Sequence, residues 1–252
     1  MYYEMSGAGE PLVLIHGLGS STRDWEFQTP EFSKKLKVIT FDVRGHGQSE
    51  KPPGPYSMAL FAADTAALLR ALGIASAHII GVSMGGGVAI QFALDYPALV
   101  KSLVIVNSGP AVSADPAQTK REVESRVAVV KQMGMRAMGD VLAPRLFPKP
   151  EQAALRETFR ARWAENDPRA YIDATLTMAD WNVLARVGEI QCPTLVIAAD
   201  QDYTPVAMKE AYIQRMPNAK LVVLADSHHA VPMEHPEEFN AAVIEFLDSV
   251  NS

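Results

Sequence analysis

The pentapeptide Gly81-Val82-Ser83-Met84-Gly85 sets a hydroxyl between two glycines, directly after an apolar run and ahead of a helix-forming stretch. A serine at a sharp strand-to-helix turn must take a strained backbone conformation. Its neighbours two places away must lack bulk so that strand and helix can approach. The geometry would expose the Ser83 hydroxyl at the positive end of a helix, with the Met84 N–H directed where an oxyanion would form. A glycine-rich junction with an incidental serine is the plainer alternative, and the strand before and helix after weigh against it. Nor is this a nucleotide loop, because Gly85-Gly86-Gly87 lacks the G-x-G-x-x-G spacing and no Walker lysine follows.

A serine hydroxyl is a poor nucleophile near neutrality, so it needs a base and a carboxylate that fixes the base's tautomer. Of the six histidines, His229 is the candidate base. It follows a strand in a loop of small and polar residues, immediately before the expected last helix. Its neighbour His228 would point elsewhere, and His16, His46, His78 and His235 read as structural, capping or solvent-facing. For the acid, the loop after Val196-Ile197-Ala198-Ala199 offers Asp200 and Asp202 at the carboxyl end of a strand, the usual functional edge of an open α/β sheet. Asp202 is preferred. His16-Gly17-Leu18-Gly19 lies after the first strong strand, and Leu18 N–H is the second candidate oxyanion donor beside Met84 N–H.

These residues need a scaffold that brings several strand ends together. Apolar runs at 12–16, 38–42, 78–82, 101–107, 194–199 and 220–225 alternate with helical patterns that include 58–72, 85–96, 205–216 and 236–250. That order predicts an α/β fold with a mostly parallel central sheet flanked by helices. Several runs lack polar alternation, so both sheet faces should be covered. The rhythm breaks between residues 108 and 187, where Arg, Glu, Ala, Met and Leu are punctuated by prolines. A helical cap over residues 110–185, inserted into a core of 1–109 and 186–252, is the expected organisation.

Together these stretches resemble the α/β-hydrolase superfamily, in the short form shared by esterases, carbon–carbon bond hydrolases, enol-lactonases and cofactor-free perhydrolases. The resemblance spans nearly the whole chain. It is carried by His16-Gly17, Asp42-Val43-Arg44-Gly45-His46-Gly47-Gln48-Ser49, the elbow from Gly81 to Gly86, Pro193-Thr194-Leu195-Val196-Ile197, Asp202-Tyr203-Thr204-Pro205, and His229 with Glu234 and Pro236. Family members commonly carry glycine three residues before the acid and directly before the histidine, where this chain has Ala199 and His228. Relatives that are haloalkane dehalogenases or epoxide hydrolases use aspartate at the elbow, and Ser83 argues against both.

The expected activity is hydrolysis of small or aromatic carboxylic esters through a Ser83–His229–Asp202 triad and an acyl-enzyme, with no metal or organic cofactor. A carbon–carbon hydrolase or enol-lactonase acting on an acidic substrate, and a slow-turnover small-molecule receptor, are the alternatives. Trp25, Met84 and Val231 from the core side, and Met133, Met135, Met138, Phe147, Phe159, Trp163 and Trp181 from the cap, would supply an apolar pocket. Arg121, Arg126, Arg145 and Arg160 read as a solvated helix face, worth testing against acidic lactones. With 23 basic and 29 acidic residues the formal charge is −6, the wrong sign for a nucleic-acid partner. One cysteine, Cys192, excludes an intrachain disulfide. No apolar run reaches transmembrane length, and Met1 to Met5 carries no export pattern, so a cytoplasmic protein with no membrane partner is expected. Oligomeric state is not legible.

Overall fold

Seven strands form one sheet in the computed structural model, which describes residues 1–113 and 115–250. In chain order they are β1 (Tyr3–Ser6), β2 (Glu10–Ile15), β3 (Leu36–Phe41), β4 (Ala77–Val82), β5 (Val100–Val106), β6 (Thr194–Ala199) and β7 (Ala219–Leu224). Their spatial order is β1-β3-β2-β4-β5-β6-β7. Only the β1–β3 pairing is antiparallel. Successive side chains point to opposite faces: Val13, Ile15, Ile79 and Ile105 join one apolar cluster, while Leu12, Leu14, Ile80 and Val104 join the other. Two buried faces explain the unbroken apolar runs. Each such side chain contributes roughly 1.5–3 kcal/mol by leaving water.

The helices are α1 (Thr29–Phe32), α2 (Met58–Ala71), α3 (Met84–Asp95), α4 (Pro116–Leu146), α5 (Ala153–Ala164), α6 (Pro168–Leu176), α7 (Val206–Ile213), α8 (Val231–Glu234) and α9 (Pro236–Val250). Serine and aspartate start two of them as expected of caps: Ser57 Oγ accepts from Leu60 N–H at 3.0 Å, and Asp167 Oδ1 from Ala170 N–H at 2.8 Å. The first eleven residues of α3, Met84 to Leu94, are all buried, so this helix is the packed centre of one layer.

The chain leaves β2 for β3 on one side and then crosses to β4 on the other, which makes the β2/β4 boundary a topological switch point. A crevice opens at the carboxyl ends of strands where the order reverses in this way. Leu18 follows β2 and Ser83 follows β4, so the two flank that point.

The expected strands and helices are present with small boundary shifts, and three features differ. Strand β1 was not anticipated, because its exposed Tyr-Glu-Met-Ser sequence has no apolar alternation; backbone pairing to β3 defines it. The one-turn helix α8 lies between His229 and α9, so the histidine loop does not run directly into the last helix. Helix α4 is broken at Gly134, whose φ of 82° and ψ of 178° leave the helical region.

Between β5 and β6 the described residues hold α4, α5, α6 and short 3₁₀ turns, with no strand. The two ends of this helical insertion meet. Ala111 and Asn182 form an isolated antiparallel bridge, and Val183 N–H donates to Pro110 O at 2.8 Å.

Candidate active site

Ser83 sits between β4 and α3 at φ 55° and ψ −121°. Non-glycine residues rarely adopt such a backbone, at a cost of about 1–3 kcal/mol. Here it is held on both sides: Ser83 N–H donates to Val106 O at 2.9 Å, and Ser83 O accepts from Gly86 N–H at 2.9 Å and Ser108 Oγ at 2.7 Å. The flanking glycines are there for space. A Cβ on Gly81 would lie 2.1 Å from Gly85 O, and one on Gly85 would lie 2.2 Å from Ile15 O and 2.5 Å from His16 O.

Met84 is the first residue of α3, so its N–H has no acceptor within the helix. Leu18 lies across the cleft on the β2 loop, and among the described residues its N–H donates to no backbone acceptor. His16 fixes that loop. Val43 N–H donates to its Nε2 at 2.9 Å, which leaves Nδ1 as the donor to Gly17 O at 2.8 Å.

His229 Nδ1 stands 2.8 Å from Asp202 Oδ1, and the Asp202 carboxylate is fully buried. The other ring nitrogen, Nε2, is buried without a hydrogen-bond partner among the described residues. The second carboxylate oxygen, Oδ2, accepts from Thr204 Oγ1 and from Lys209 Nζ, the latter at 3.1 Å. Lys209 is itself fully buried and also donates to Thr204 O and to Thr204 Oγ1 at 2.6 Å. Burial alone would push the Asp202 carboxyl up. The His229 and Lys209 charges and the hydrogen bonds from His229 and Thr204 outweigh it and hold the group at about 2. At Lys209 the balance runs the other way: burial lowers the ammonium despite the attraction of Asp202.

Asn107, at the end of β5, ties the two loops together. Its Nδ2 donates to His229 O at 2.9 Å and His228 O at 3.2 Å, and its Oδ1 accepts from Ala199 N–H at 2.8 Å. Tyr203 stacks on the His229 ring, with centroids 4.2 Å apart and planes 26° from parallel.

Ser83 and His229 line two adjoining cavities, a small one of about 80 Å³ and a larger one of about 640 Å³. Leu18 borders both, Trp25, Phe159 and Trp163 border the small one, and Met84, Met138 and Trp181 border the large one. Val231 does not join them. It is fully buried in the core cluster with Phe239 and Val243, because the α8 turn directs it inward. Met135 and Phe147 are core residues of the insertion, and Met133 is 66% exposed beside the Gly134 break. The arginines divide: Arg160 pairs with Asp140 at 3.0 Å, whereas Arg126, expected on a solvated face, is half-buried at the wall of both cavities.

The remaining histidines are engaged elsewhere. His228 Nδ1 lies 2.8 Å from Glu234 Oε1, and its N–H donates to Glu234 Oε2 at 2.6 Å. His46 packs 5.2 Å from His16, and His78 bridges Ser102 and Glu10. Asp42 accepts from Thr22 N–H and Gln48 N–H, both at 2.7 Å, while Arg44 pairs with Asp64.

Sequence reasoning did not find Asn107, Lys209 or Tyr203. Asn107 could have been noticed as a polar residue ending a strand at the functional edge. Lys209 carries no such signal, since a lysine in an amphipathic helix reads as solvated.

Residues 10–236 match the family model for the alpha/beta hydrolase fold. The protein named "Putative carbamate hydrolase RutD" of Caulobacter segnis is 32% identical over 260 residues, covering 98% of this chain and 96% of that protein. A 3-oxoadipate enol-lactonase 2 of Acinetobacter baylyi is 29% identical over 236 residues, covering 92% and 86%. Among solved structures, a thermophilic esterase from Thermogutta terrifontis superposes with a TM-score of 0.91 at 28% identity, covering 100% of this chain and 94% of that one. The chain belongs to the α/β-hydrolase family, and its fold is the α/β-hydrolase fold with a helical insertion.

Proposed function

We propose that the chain is a serine hydrolase of carboxylic esters, with Ser83 as nucleophile, His229 as general base, Asp202 as the orienting acid, and Leu18 and Met84 N–H as oxyanion donors. The observation that carries this reading is the His229 ring. One nitrogen is fixed by Asp202 at 2.8 Å, and the other is buried without a partner among the described residues, at a cavity that Ser83 also lines. Asp202 accepts a hydrogen bond from Nδ1–H, which leaves the Nε2 lone pair as the base.

In the first step the Ser83 hydroxyl proton passes to His229 Nε2 as Oγ bonds to the ester carbonyl carbon. Negative charge on the carbonyl oxygen is met by the two backbone N–H groups, which need no reorganisation as it develops. The imidazolium returns the proton to the departing alcohol oxygen, the carbon–oxygen bond breaks, and Ser83 is left acylated. Water then gives a proton to His229 and attacks the acyl carbon, and the acid leaves as the Ser83 proton is restored. The helical insertion, residues 110–185, acts as the lid over this site. The one cysteine supports a cytoplasmic location.

The test is Ser83→Ala with p-nitrophenyl acetate and butyrate. Turnover is expected to fall at least 10³-fold in a protein with unchanged circular dichroism; retained turnover rejects the assignment. A second reading, hydrolysis of an acidic lactone, is favoured by Arg126 at the cavity wall and by the enol-lactonase relative.

A further inference from the structure

Arg126, on α4, lines both cavities that Ser83 and His229 line. It is half-buried, and among the described residues no carboxylate forms an ion pair with it within 4.0 Å. Its polar neighbours are the Tyr203 and Tyr171 hydroxyls, which burial pushes up and so keeps neutral, so that they supply no anion. Arg145 borders the large cavity, lies 5.5 Å above the Tyr203 ring that stacks on His229, and likewise has no ion-pair partner among the described residues. Four other arginines of the insertion are in ion pairs, Arg121 with Asp115 at 3.5 Å, Arg160 with Asp140 at 3.0 Å, Arg162 with Asp24 at 3.0 Å and Arg169 with Asp173 at 3.0 Å; Arg156 donates to the Phe147 and Lys149 carbonyls, and Arg136 is exposed to water away from both cavities.

The carboxylates of the walls do not answer Arg126. Asp24, at the small cavity, is held by Arg162, and Glu122, at the large one, is exposed and accepts from Gln118 Nε2 at 3.0 Å. A guanidinium partly withdrawn from water without a counter-ion is unfavourable, and a planar carboxylate satisfies its fork with two parallel hydrogen bonds.

We propose that Arg126, with Arg145 beside it, is an anion subsite for a free carboxylate on the substrate, so that the preferred substrates are monoanionic half-esters or lactone acids. The proposal rests on the serine-hydrolase reading for where bond cleavage occurs, but not for where the anion binds. Apolar walls from Leu142, Phe159 and Trp163 would take the carbon chain between the two ends.

The experiment compares kcat/KM for mono-p-nitrophenyl adipate and suberate with that for the matching neutral methyl diesters. Wild-type protein should favour the half-esters by at least about tenfold. In Arg126→Met that preference should fall by about 10- to 100-fold, chiefly through KM, as expected for a lost charge-assisted hydrogen bond. Arg126→Lys, with charge but no planar fork, should lie between them. Direct binding of adipate to the Ser83→Ala protein, by calorimetry, should weaken with salt and vanish when Arg126→Met is added. Equal wild-type rates on half-ester and diester, or adipate binding indifferent to residue 126, would overturn the proposal. If Arg126→Met does not fold, the Arg126→Lys preference and the salt dependence of adipate binding decide. Ser83→Ala protein that still hydrolyses the neutral diester would defeat the serine reading, while its adipate binding would still judge the subsite.

Discussion

Lys209→Met removes the buried ammonium that holds the outer oxygen of Asp202, and its effect can be worked out from the contacts. Wild-type Asp202 is fully buried, with His229 on Oδ1 and Lys209 and Thr204 on Oδ2. Removing one partner of a buried ion pair costs about 3–5 kcal/mol, because the other charge stays behind. Two hydrogen bonds remain on the carboxylate, and burial already disfavours the lysine charge, so we expect a loss nearer about 2–3 kcal/mol. For a chain of this size that is a fall in Tm on the order of 5–10 °C.

The linkage has a definite sign. Asp202 is held at about 2, below its unfolded value, so its contribution is present above roughly pH 4 and is lost as pH falls through about 2. Without the lysine charge the folded value rises towards the unfolded one, so the contribution is smaller and its loss, which still begins near pH 4, is complete at a higher pH. The rotation of Asp202 thereby allowed should also loosen His229, lowering kcat on p-nitrophenyl butyrate by about tenfold or more with little change in KM. Urea unfolding at pH 7 and pH 4, with kcat measured across the same range, reads each effect. A variant with wild-type kcat and an unaltered urea midpoint at both pH values would refute the positioning role of Lys209.

Three further outcomes are expected. Gly85→Ala should destabilise by about 3 kcal/mol or more or yield no soluble protein, because its Cβ would meet Ile15 O at 2.2 Å, and backbone cannot yield as a side chain can; a soluble variant with wild-type Tm would refute the packing argument. Asn107→Ala should lose about 2–4 kcal/mol and most of the activity, since the Ala199, His228 and His229 backbone groups lose their partner and alanine tolerates a φ of 46° less well than asparagine does; Asn107→Gly, relieved of that strain, should recover some of the stability but little kcat. His46 is wholly buried and is pushed down to about 3, chiefly by burial, so only the unfolded chain takes up its proton between about pH 6.5 and 3. Stability should therefore fall by about 1.4 kcal/mol per pH unit through that window, and a urea midpoint whose pH slope is unchanged in His46→Gln would contradict this.

Local sequence was enough to specify the elements and the turn at Ser83. Runs of Val, Ile and Leu without polar alternation demand a doubly covered sheet, and Gly81, Ser83 and Gly85 demand a strand-to-helix corner, because both rules act over a few neighbouring residues. The helical character of the insertion was legible for the same reason, as was the placing of Asp202 and His229 on loops after strands, which the fold brings to 2.8 Å from each other. Strand β1 was not, since an exposed edge strand is defined by the backbone it pairs with rather than by its own side chains. The destination of each side chain was also hidden. Arg126 and Arg121 lie five residues apart in one arginine- and glutamate-rich stretch, yet Arg126 is half-buried in the wall of both cavities, while Arg121 is exposed at the large one and paired with Asp115. Lys209 looks solvated in α7 and is buried against Asp202. Burial and ion pairing are set by whatever packs against a helix from distant parts of the chain, and only the folded molecule brings those partners together.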